Sequence, residues 1–246
     1  MHLNLLQLGR IPYAEGLRLQ DEMVAARKAG AIGDTLLLME HPPVLTLGRN
    51  ATRANIIATD ELLARKGVTI HETNRGGEVT YHGPGQLVGY PIFDLRGDLP
   101  NKRGAFLGPV DFVRLMEEAL ILSCKDCGVP AQRICKRTGV WTYAGGSIQE
   151  KKIAAIGIHV SHAITSHGFA LNVTTDLRDF NWIVPCGIAD RGVTSLELES
   201  PQDPLPMLAQ VSNSVAANFG RVFNRQVLAS NSLDELLAAA SAAPVR

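Results

Sequence analysis

Hydrophobic and polar positions alternate in short blocks along the chain. Most blocks have the pattern that is typical of either a β-strand or an α-helix. Apolar runs typical of strands are LNLLQLG, TLLLMEH, VLTLG, VTIHET, QLVGYPIFDL, GVWTY, KIAAIGIHVS and HGFALNV. Helical periodicity covers 12–29, 60–66, 109–127, 205–223 and 233–242. Because single strands do not alternate regularly with single helices, the pattern predicts an α/β (α+β) domain with a mixed, largely antiparallel sheet flanked by helices.

The length predicts one large domain. The 246 residues are 46% hydrophobic, which is ample for a core. The segment SPQDPLP at 200–206 has the composition of a linker. We therefore expect a main domain over 1–200 and a C-terminal helical extension over 201–246 that packs on the same domain.

Composition and charge exclude several classes of protein. The 24 basic and 24 acidic residues cancel, so the chain has no net charge to attract nucleic acid or an anionic membrane. No apolar run reaches the roughly 18 to 20 residues of a spanning helix, and the N-terminus lacks the features of a signal peptide. We expect a soluble, cytoplasmic protein whose four cysteines are free thiols.

The segment RGGEVTYHGPGQ, at 75–86, is the most unusual part of the sequence. Its four glycines permit positive φ angles and a close approach of the backbone to a ligand. A hairpin with a glycine-rich turn explains the same composition, so both interpretations stay open. The spacing of a phosphate-binding loop or a dinucleotide fingerprint is missing from the sequence.

Two residues are candidates for chemistry. Cys186 lies in IVPCGI, where Gly187 leaves the sulfur uncrowded, although free cysteines are more often core residues. Lys152 begins the apolar run IAAIGIHV, where burial can lower the pKa of an amine, although a strand-end lysine can simply extend to water. Alternation along a strand sends Lys151 and Lys152 to opposite faces, so only one of them can face a shared site.

Further polar residues have less specific signals. His82 and His167 are candidate bases or hydrogen-bond donors, with a structural role as the alternative. Asn172 is a candidate orienting residue. Cys124 and Cys127 form a C-x-x-C on the predicted helix 109–127, but no second pair accompanies it, so we predict no metal site.

Several of these segments together resemble the lipoate-pathway octanoyltransferases, over about residues 34–197. The matching segments are LLLMEHPPVLTLGR, RGGEVTYHGPGQLVGYPIFDL, GVW, KKIAAIGIHV, HGFALNV, and IVPCGI followed by VTSL. The combination is far more specific than any one of these segments. The stretch RGDLPNKRGAFLGPVDFV departs from the usual pattern of the family. The resemblance therefore does not define the surface to which a carrier protein docks.

The resemblance implies a fold and a set of site residues. The fold is that of the biotin/lipoate protein ligases, related to class II aminoacyl-tRNA synthetases, with 1–200 as the catalytic domain. Cys186 corresponds to the nucleophile, and Lys152, not Lys151, corresponds to its lysine partner. The implied substrate-binding residues are Arg75, Gly76, Gly77, Glu78, Val79, Thr80, Tyr81, His82, Ala155, Ile156, Gly157, Gly168, Phe169 and Ala170. Ile156, Phe169, Ala170 and Tyr81 are expected to line an apolar tunnel.

The resemblance also implies a reaction and its partners. Octanoyl-acyl carrier protein would deliver its acyl group from phosphopantetheine to Cys186, without a further cofactor or metal. The lysine of a lipoyl domain would then receive it, in E2 subunits of 2-oxo acid dehydrogenases or the glycine cleavage H protein. An ATP-dependent lipoate or biotin ligase is the nearest alternative. A non-catalytic carrier-binding module and a Cys–His hydrolase that uses His82 or His167 are the others.

Overall fold

The computed structural model describes residues 1–143, 150–184 and 192–242. Its strands are β1 (His2–Arg10), β2 (Thr35–Glu40), β3 (Val44–Leu47), β4 (Thr69–Glu72), β5 (Val79–His82), β6 (Gln86–Ile92), β7 (Gln132–Ile134), β8 (Arg137–Tyr143), β9 (Glu150–Ser161), β10 (Ile164–Asn172) and β11 (Gln226–Ala229). Its α-helices are α1 (Tyr13–Lys28), α2 (Asp60–Arg65), α3 (Pro109–Asp126), α4 (Leu196–Glu199), α5 (Leu208–Val222) and α6 (Leu233–Ala242). Short 3₁₀ helices cover Arg53–Asn55 and Leu177–Trp182.

Within the described ranges, eight strands form one sheet in the order β11-β1-β2-β6-β10-β9-β8-β7. Strand β1 pairs in parallel with β11 and β2, and the other neighbours are antiparallel. The predicted mixed, largely antiparallel sheet is confirmed. A smaller sheet has the order β4-β3-β5.

The central strands of the large sheet are buried on both faces, and their side chains alternate between two cores. Leu36 and Leu38 of β2 pack in the core formed with α3 and α5, whereas Leu37 and Met39 pack in the core that includes Met23 of α1. This alternation follows from the two-residue period of a strand. Helices therefore cover both faces, as the sequence predicts.

The small sheet has its own core, which includes Leu45, Leu47, Tyr81, Phe180 and Ile183. Its strand β5 arises inside the glycine-rich segment and pairs antiparallel with β3. The sequence pattern did not predict β5, β7 or β11 as strands. Strand β5 places the glycine-rich segment beside the large sheet.

The C-terminal part contributes to the large sheet and its core. Helix α5 packs through residues such as Val215 and Phe219, and β11 pairs with β1. The helices predicted at 205–223 and 233–242 are confirmed as α5 and α6, with a strand between them. The division into 1–200 and 201–246 stays a prediction.

Candidate active site

A cavity of about 880 Å³ lies where the glycine-rich segment meets strands β8, β9 and β10. This volume is within the range of small-molecule binding sites. Lys152 lines the cavity together with nearly all of the described residues predicted to bind substrate, which are Arg75, Gly76, Gly77, Glu78, Val79, Thr80, His82, Ala155, Ile156, Gly157, Gly168, Phe169 and Ala170. Segments far apart in the sequence therefore meet at one site.

Close backbone contacts fix the glycine-rich segment on the large sheet. The Gly76 N–H donates to Ile158 O at 2.9 Å. A Cβ atom at Gly157 would lie 2.6 Å from Gly76 O, so this approach requires glycine. On the other side, the buried guanidinium of Arg75 donates to Thr46 O at 2.8 Å. The arginine thus anchors the loop to β3 through a backbone carbonyl.

Strands β9 and β10 form one wall of the cavity, and their predicted substrate-binding residues pair across the ladder. Ala155 pairs with Ala170, Ile156 with Phe169, and Gly157 with Gly168. Small residues next to larger apolar ones leave room beside the aliphatic surface. This wall can hold an alkyl chain.

Tyr81 departs from the predicted tunnel. It is fully buried in the core of the small sheet, and its hydroxyl donates to Asp179 Oδ2 at 2.6 Å. Successive residues of a strand point to opposite faces, so His82 faces the cavity and Tyr81 does not. The expectation that Tyr81 lines an apolar tunnel is therefore corrected. The cavity is also more polar than expected, because Tyr13, Tyr90 and His167 contribute to its lining.

Lys152 reaches the cavity from a bulge in the β8–β9 ladder. Val140 pairs with Ala154 but Trp141 pairs with Lys152, so β9 contains one extra residue, Ile153, at this point. Such bulges re-aim side chains next to functional sites. The Lys152 Nζ atom lies 4.7 Å from the centre of the Trp141 ring.

The surroundings of Lys152 lower the pKa of its amine. Burial lowers its pKa to about 8, and the positive charge of Arg137 acts in the same direction, whereas Glu78 opposes them. An amine with this pKa exchanges protons near neutral pH. Trp141 is fully buried, and its Nε1 has no hydrogen-bond partner among the described residues.

The histidines around the cavity have a different character. Burial is the main cause that lowers the pKa of His82 to about 3 and that of His167 to about 4. The ring of His82 bonds Gln86 Oε1 at 2.7 Å, and that of His167 bonds Asn74 Oδ1 at 2.6 Å. Both rings are therefore neutral and fixed by amide side chains.

A chain of hydrogen bonds connects His82 to strand β9, which carries Lys152. Beyond His82, Gln86 Nε2 donates to Asn172 Oδ1 at 2.9 Å, and Asn172 Nδ2 donates to Thr194 O at 2.9 Å. The Thr194 N–H in turn donates to Lys152 O at 2.9 Å. Asn172 thus joins the motif at 75–86 to the strand that carries Lys152.

Cys186 lies in 185–191, outside the described residues, whereas the flanking residues Val184 and Gly192 are described. Before it, the Val184 N–H donates to Asn55 O at 2.8 Å. After it, Gly192 O accepts the Lys152 N–H at 3.2 Å, and Val193 lines the cavity. The chain that carries Cys186 therefore rejoins the described structure directly beside Lys152.

The other three cysteines are free. Cys124 and Cys127 are buried among core residues, and Cys135 is exposed and lines the cavity. In the parts of the chain that the structure describes, no group of His, Cys, Asp or Glu side chains has the arrangement of a metal site. No described helix is long and apolar enough to cross a bilayer.

Sequence reasoning missed several residues of the lining, which are Tyr13, Asn50, Val88, Tyr90, Cys135, Lys136, Arg137, Thr138, Trp141, Phe180 and Val193. Most come from elements that the fold brings to the site from elsewhere. The GVW segment was part of the family resemblance, and this was a signal for Trp141.

The fold and this cavity define a class of protein that comparisons identify. The model of the lipoyl protein ligase A/B catalytic domain matches residues 12–220. The chain belongs to this family. It also resembles, in fold, a putative lipoate protein ligase from T. acidophilum, with a TM-score of 0.71 at 17% identity, covering 98% of this chain and 93% of that one.

Within the family, sequence relatives point to one branch. An octanoyltransferase of Acidobacterium capsulatum is 64% identical over 96% of both chains. One from Koribacter versatilis is 50% identical over 99% of this chain and 93% of that protein. The chain is thus an enzyme of the octanoyltransferase group, an acyltransferase.

Proposed function

We propose that this enzyme moves an octanoyl group from an acyl carrier protein to a lipoyl-domain lysine through a thioester on Cys186. The observation that carries this proposal is Lys152, an amine with a lowered pKa on the wall of a cavity beside a chain segment that leads to a cysteine. A nearby base is what a thiol needs to react as thiolate at neutral pH.

In the first half-reaction, the Cys186 thiolate attacks the carbonyl carbon of the carrier thioester. The bond from that carbon to the phosphopantetheine sulfur breaks, and the leaving thiolate takes up a proton. One thioester replaces another, so little free energy changes and the acyl group stays activated. Lys152 in its neutral form removes the proton from the thiol and returns it to the leaving sulfur.

In the second half-reaction, the amine of the acceptor lysine attacks the Cys186 thioester and forms an amide. Lys152 accepts the proton that the amine loses, and Cys186 leaves as a thiolate. A thioester reacts to an amide downhill, so the step needs no ATP. The Gly76 N–H is bonded to Ile158 O, and we assign stabilisation of the oxyanion to the Gly77 and Glu78 N–H groups.

The octanoyl chain is assigned to the wall of β9 and β10. Ile156, Phe169 and Ala170 supply its apolar surface. Complete burial of the alkyl tail contributes about 5 kcal/mol, at about 0.8 kcal/mol per methylene. We further propose that the acceptors are lipoyl domains of 2-oxo acid dehydrogenase E2 subunits and the H protein, and that the enzyme is cytoplasmic. A bipartite lipoate protein ligase from Thermoplasma acidophilum, which has a similar fold, has an E2 lipoyl domain as its partner.

The test is intact-mass measurement after incubation with octanoyl-acyl carrier protein, followed by addition of a lipoyl domain. We expect one octanoyl adduct that disappears as the lipoyl domain gains the same mass. Cys186→Ala should remove the adduct. Cys135→Ala is the matched control, because Cys135 is the described thiol that lines the cavity, and it should keep the adduct.

Three outcomes would contradict the proposal. An adduct that persists in Cys186→Ala and is lost in Cys135→Ala would transfer the nucleophile to the other thiol. Modification of the lipoyl domain only with free octanoate and ATP would favour a ligase, and release of free octanoate without transfer would favour a hydrolase.

A further inference from the structure

A buried carboxylate on α3, that of Glu117, contacts the backbone next to the β8–β9 bulge. The Glu117 side chain is 0% exposed. Its Oε1 accepts the Gly139 N–H at 3.0 Å, and its Oε2 accepts Arg114 Nη1 at 2.6 Å and Arg133 Nε at 3.2 Å. The proposed reaction assigns no role to this group.

Gly139 in turn lies beside the Lys152 side chain. Its φ angle is +116°, a conformation that L residues rarely adopt. A Cβ atom at Gly139 would lie 2.6 Å from Ala154 O and 3.5 Å from the Lys152 Cε atom. A side chain at position 139 would therefore press against the aliphatic part of Lys152, and glycine leaves this space to the lysine.

Gly139 also immediately precedes the bulge, whose pairs are Val140 with Ala154 and Trp141 with Lys152. A bulge interrupts the regular ladder, so the positions of both strands at that point depend on contacts from outside the ladder. The bond from Gly139 to Glu117 is such a contact, and it ties this point of β8 to a helix in the core. The two arginines neutralise the carboxylate and hold it in place.

We propose that Glu117 is a positioning residue that, through the Gly139 N–H, fixes the bulge that directs the Lys152 amine into the cavity. This inference rests on the proposed role of Lys152. Glu117 itself does not line the cavity, so it acts through β8 and not on the substrate.

The test compares Glu117→Gln and Glu117→Asp with a matched control. Glu117→Gln cannot accept from both Gly139 and the arginines, and Glu117→Asp keeps the charge but withdraws the oxygen from Gly139. The matched control is Glu118→Gln, which removes the neighbouring negative charge. The Glu118 side chain is 43% exposed and accepts from Arg133, but it does not bond Gly139. Folding is checked by circular dichroism at 10 °C.

The first readout is the pH titration of the Lys152 amine, which is monitored by NMR of ¹³C-methylated lysines. The signal that is missing in Lys152→Arg identifies the Lys152 resonance. Among the described residues, the groups that act on the amine are Arg137, Glu78 and the Trp141 ring. We expect a midpoint near 8 in the wild type and in Glu118→Gln, and a midpoint about one unit higher in both Glu117 variants, because a misplaced amine is better hydrated.

The second readout is transfer at pH 7, where a one-unit rise in the midpoint leaves about tenfold less neutral amine. We expect kcat to fall about tenfold and KM for the carrier to stay constant. Folded Glu117 variants with a wild-type midpoint, or failure of both variants to fold, would overturn the inference. Absence of octanoyl transfer in the wild type would instead refute the proposed function, while the NMR titration would still test Glu117.

Discussion

The cavity holds titratable groups in two contrasting surroundings. Lys152 is partly buried, rests on an aromatic ring and keeps a pKa of about 8. His82 and His167 are buried and bonded to amides, with pKa values of about 3 and 4. Burial lowers the pKa in all three cases, but only the lysine ends up close to neutral pH. A buried base is useful for proton transfer only when its pKa lies near the working pH.

The largest expected effect comes from removing the lysine. Lys152→Ala should slow single-turnover octanoyl transfer by about 10³-fold, since positioned acid–base groups contribute about 10² to 10⁴. The wild-type rate should rise with pH through about 8, as the amine loses its proton, and the variant should lack this rise. Stopped-flow or quenched-flow rates between pH 6 and 9 measure both. A Lys151→Ala control should behave like the wild type, and a wild-type profile in Lys152→Ala would remove Lys152 from the mechanism.

The next effect tests the histidine side of the comparison. The folded-state pKa values of His82 and His167 lie below the ordinary 6.5, so the unfolded chain takes up protons first as the pH falls. The free energy of unfolding should therefore decrease from about pH 6.5 downward, until the folded-state values are reached. Between pH 7 and 5 we expect a loss of about 4 kcal/mol from the two groups, at 1.36 kcal/mol per group for each pH unit below 6.5.

Urea unfolding at both pH values measures this loss. His82→Gln should reduce the pH dependence by about one proton. His162→Gln, at an exposed turn between β9 and β10, should leave it unchanged. Equal stability at pH 7 and 5 would show that the histidines are hydrated and not structural.

A smaller effect on stability tests whether Tyr81 belongs to the core of the small sheet and not to the cavity. Tyr81→Phe removes the hydrogen bond to Asp179 and should lower the free energy of unfolding by about 1 kcal/mol. Because Tyr81 does not line the cavity, the transfer rate and the KM for the carrier should stay within twofold of the wild type. Thermal unfolding and steady-state assays are sufficient. A large rise in KM with unchanged stability would return Tyr81 to the substrate site.

The smallest expected effect concerns Trp141, whose ring lies under the Lys152 amine. Trp141→Phe keeps an aromatic face under Lys152 and removes an Nε1–H group that has no partner among the described residues. Stability should change by less than about 1 kcal/mol or even improve, because an unpaired buried donor is lost. Trp141→Leu, the control without an aromatic ring, should shift the pH–rate profile. A tenfold loss of rate in Trp141→Phe would show that the indole N–H contacts the substrate.

The sequence predicted the elements with long, regular patterns and the residues that form contiguous motifs. The apolar strands β9 and β10 are examples, and their small residues pair across the sheet as partners. It did not predict that β5 belongs to a second sheet, and this pairing decides that Tyr81 faces a core and His82 the cavity. The face to which a strand's side chains point depends on the strand with which it pairs, and local periodicity does not identify that partner.

The positions of Trp141, Gly139 and Glu117 depend on three elements that meet only in the fold. An acidic residue within a helix normally indicates a solvent-exposed face, yet Glu117 is buried against two arginines and a backbone N–H. The bulge that aims Lys152 is a mismatch between two strands, and neither strand's sequence alone contains it.

The hydrogen bonds that run from His82 through Gln86, Asn172 and Thr194 to Lys152 have a consequence for protein engineering. They join residues from four separate stretches of the chain into one unit whose geometry is set jointly. An engineer who grafts the glycine-rich motif alone onto a related scaffold would leave amide groups without their partners. Transplanting the specificity of this enzyme therefore requires moving all four stretches together.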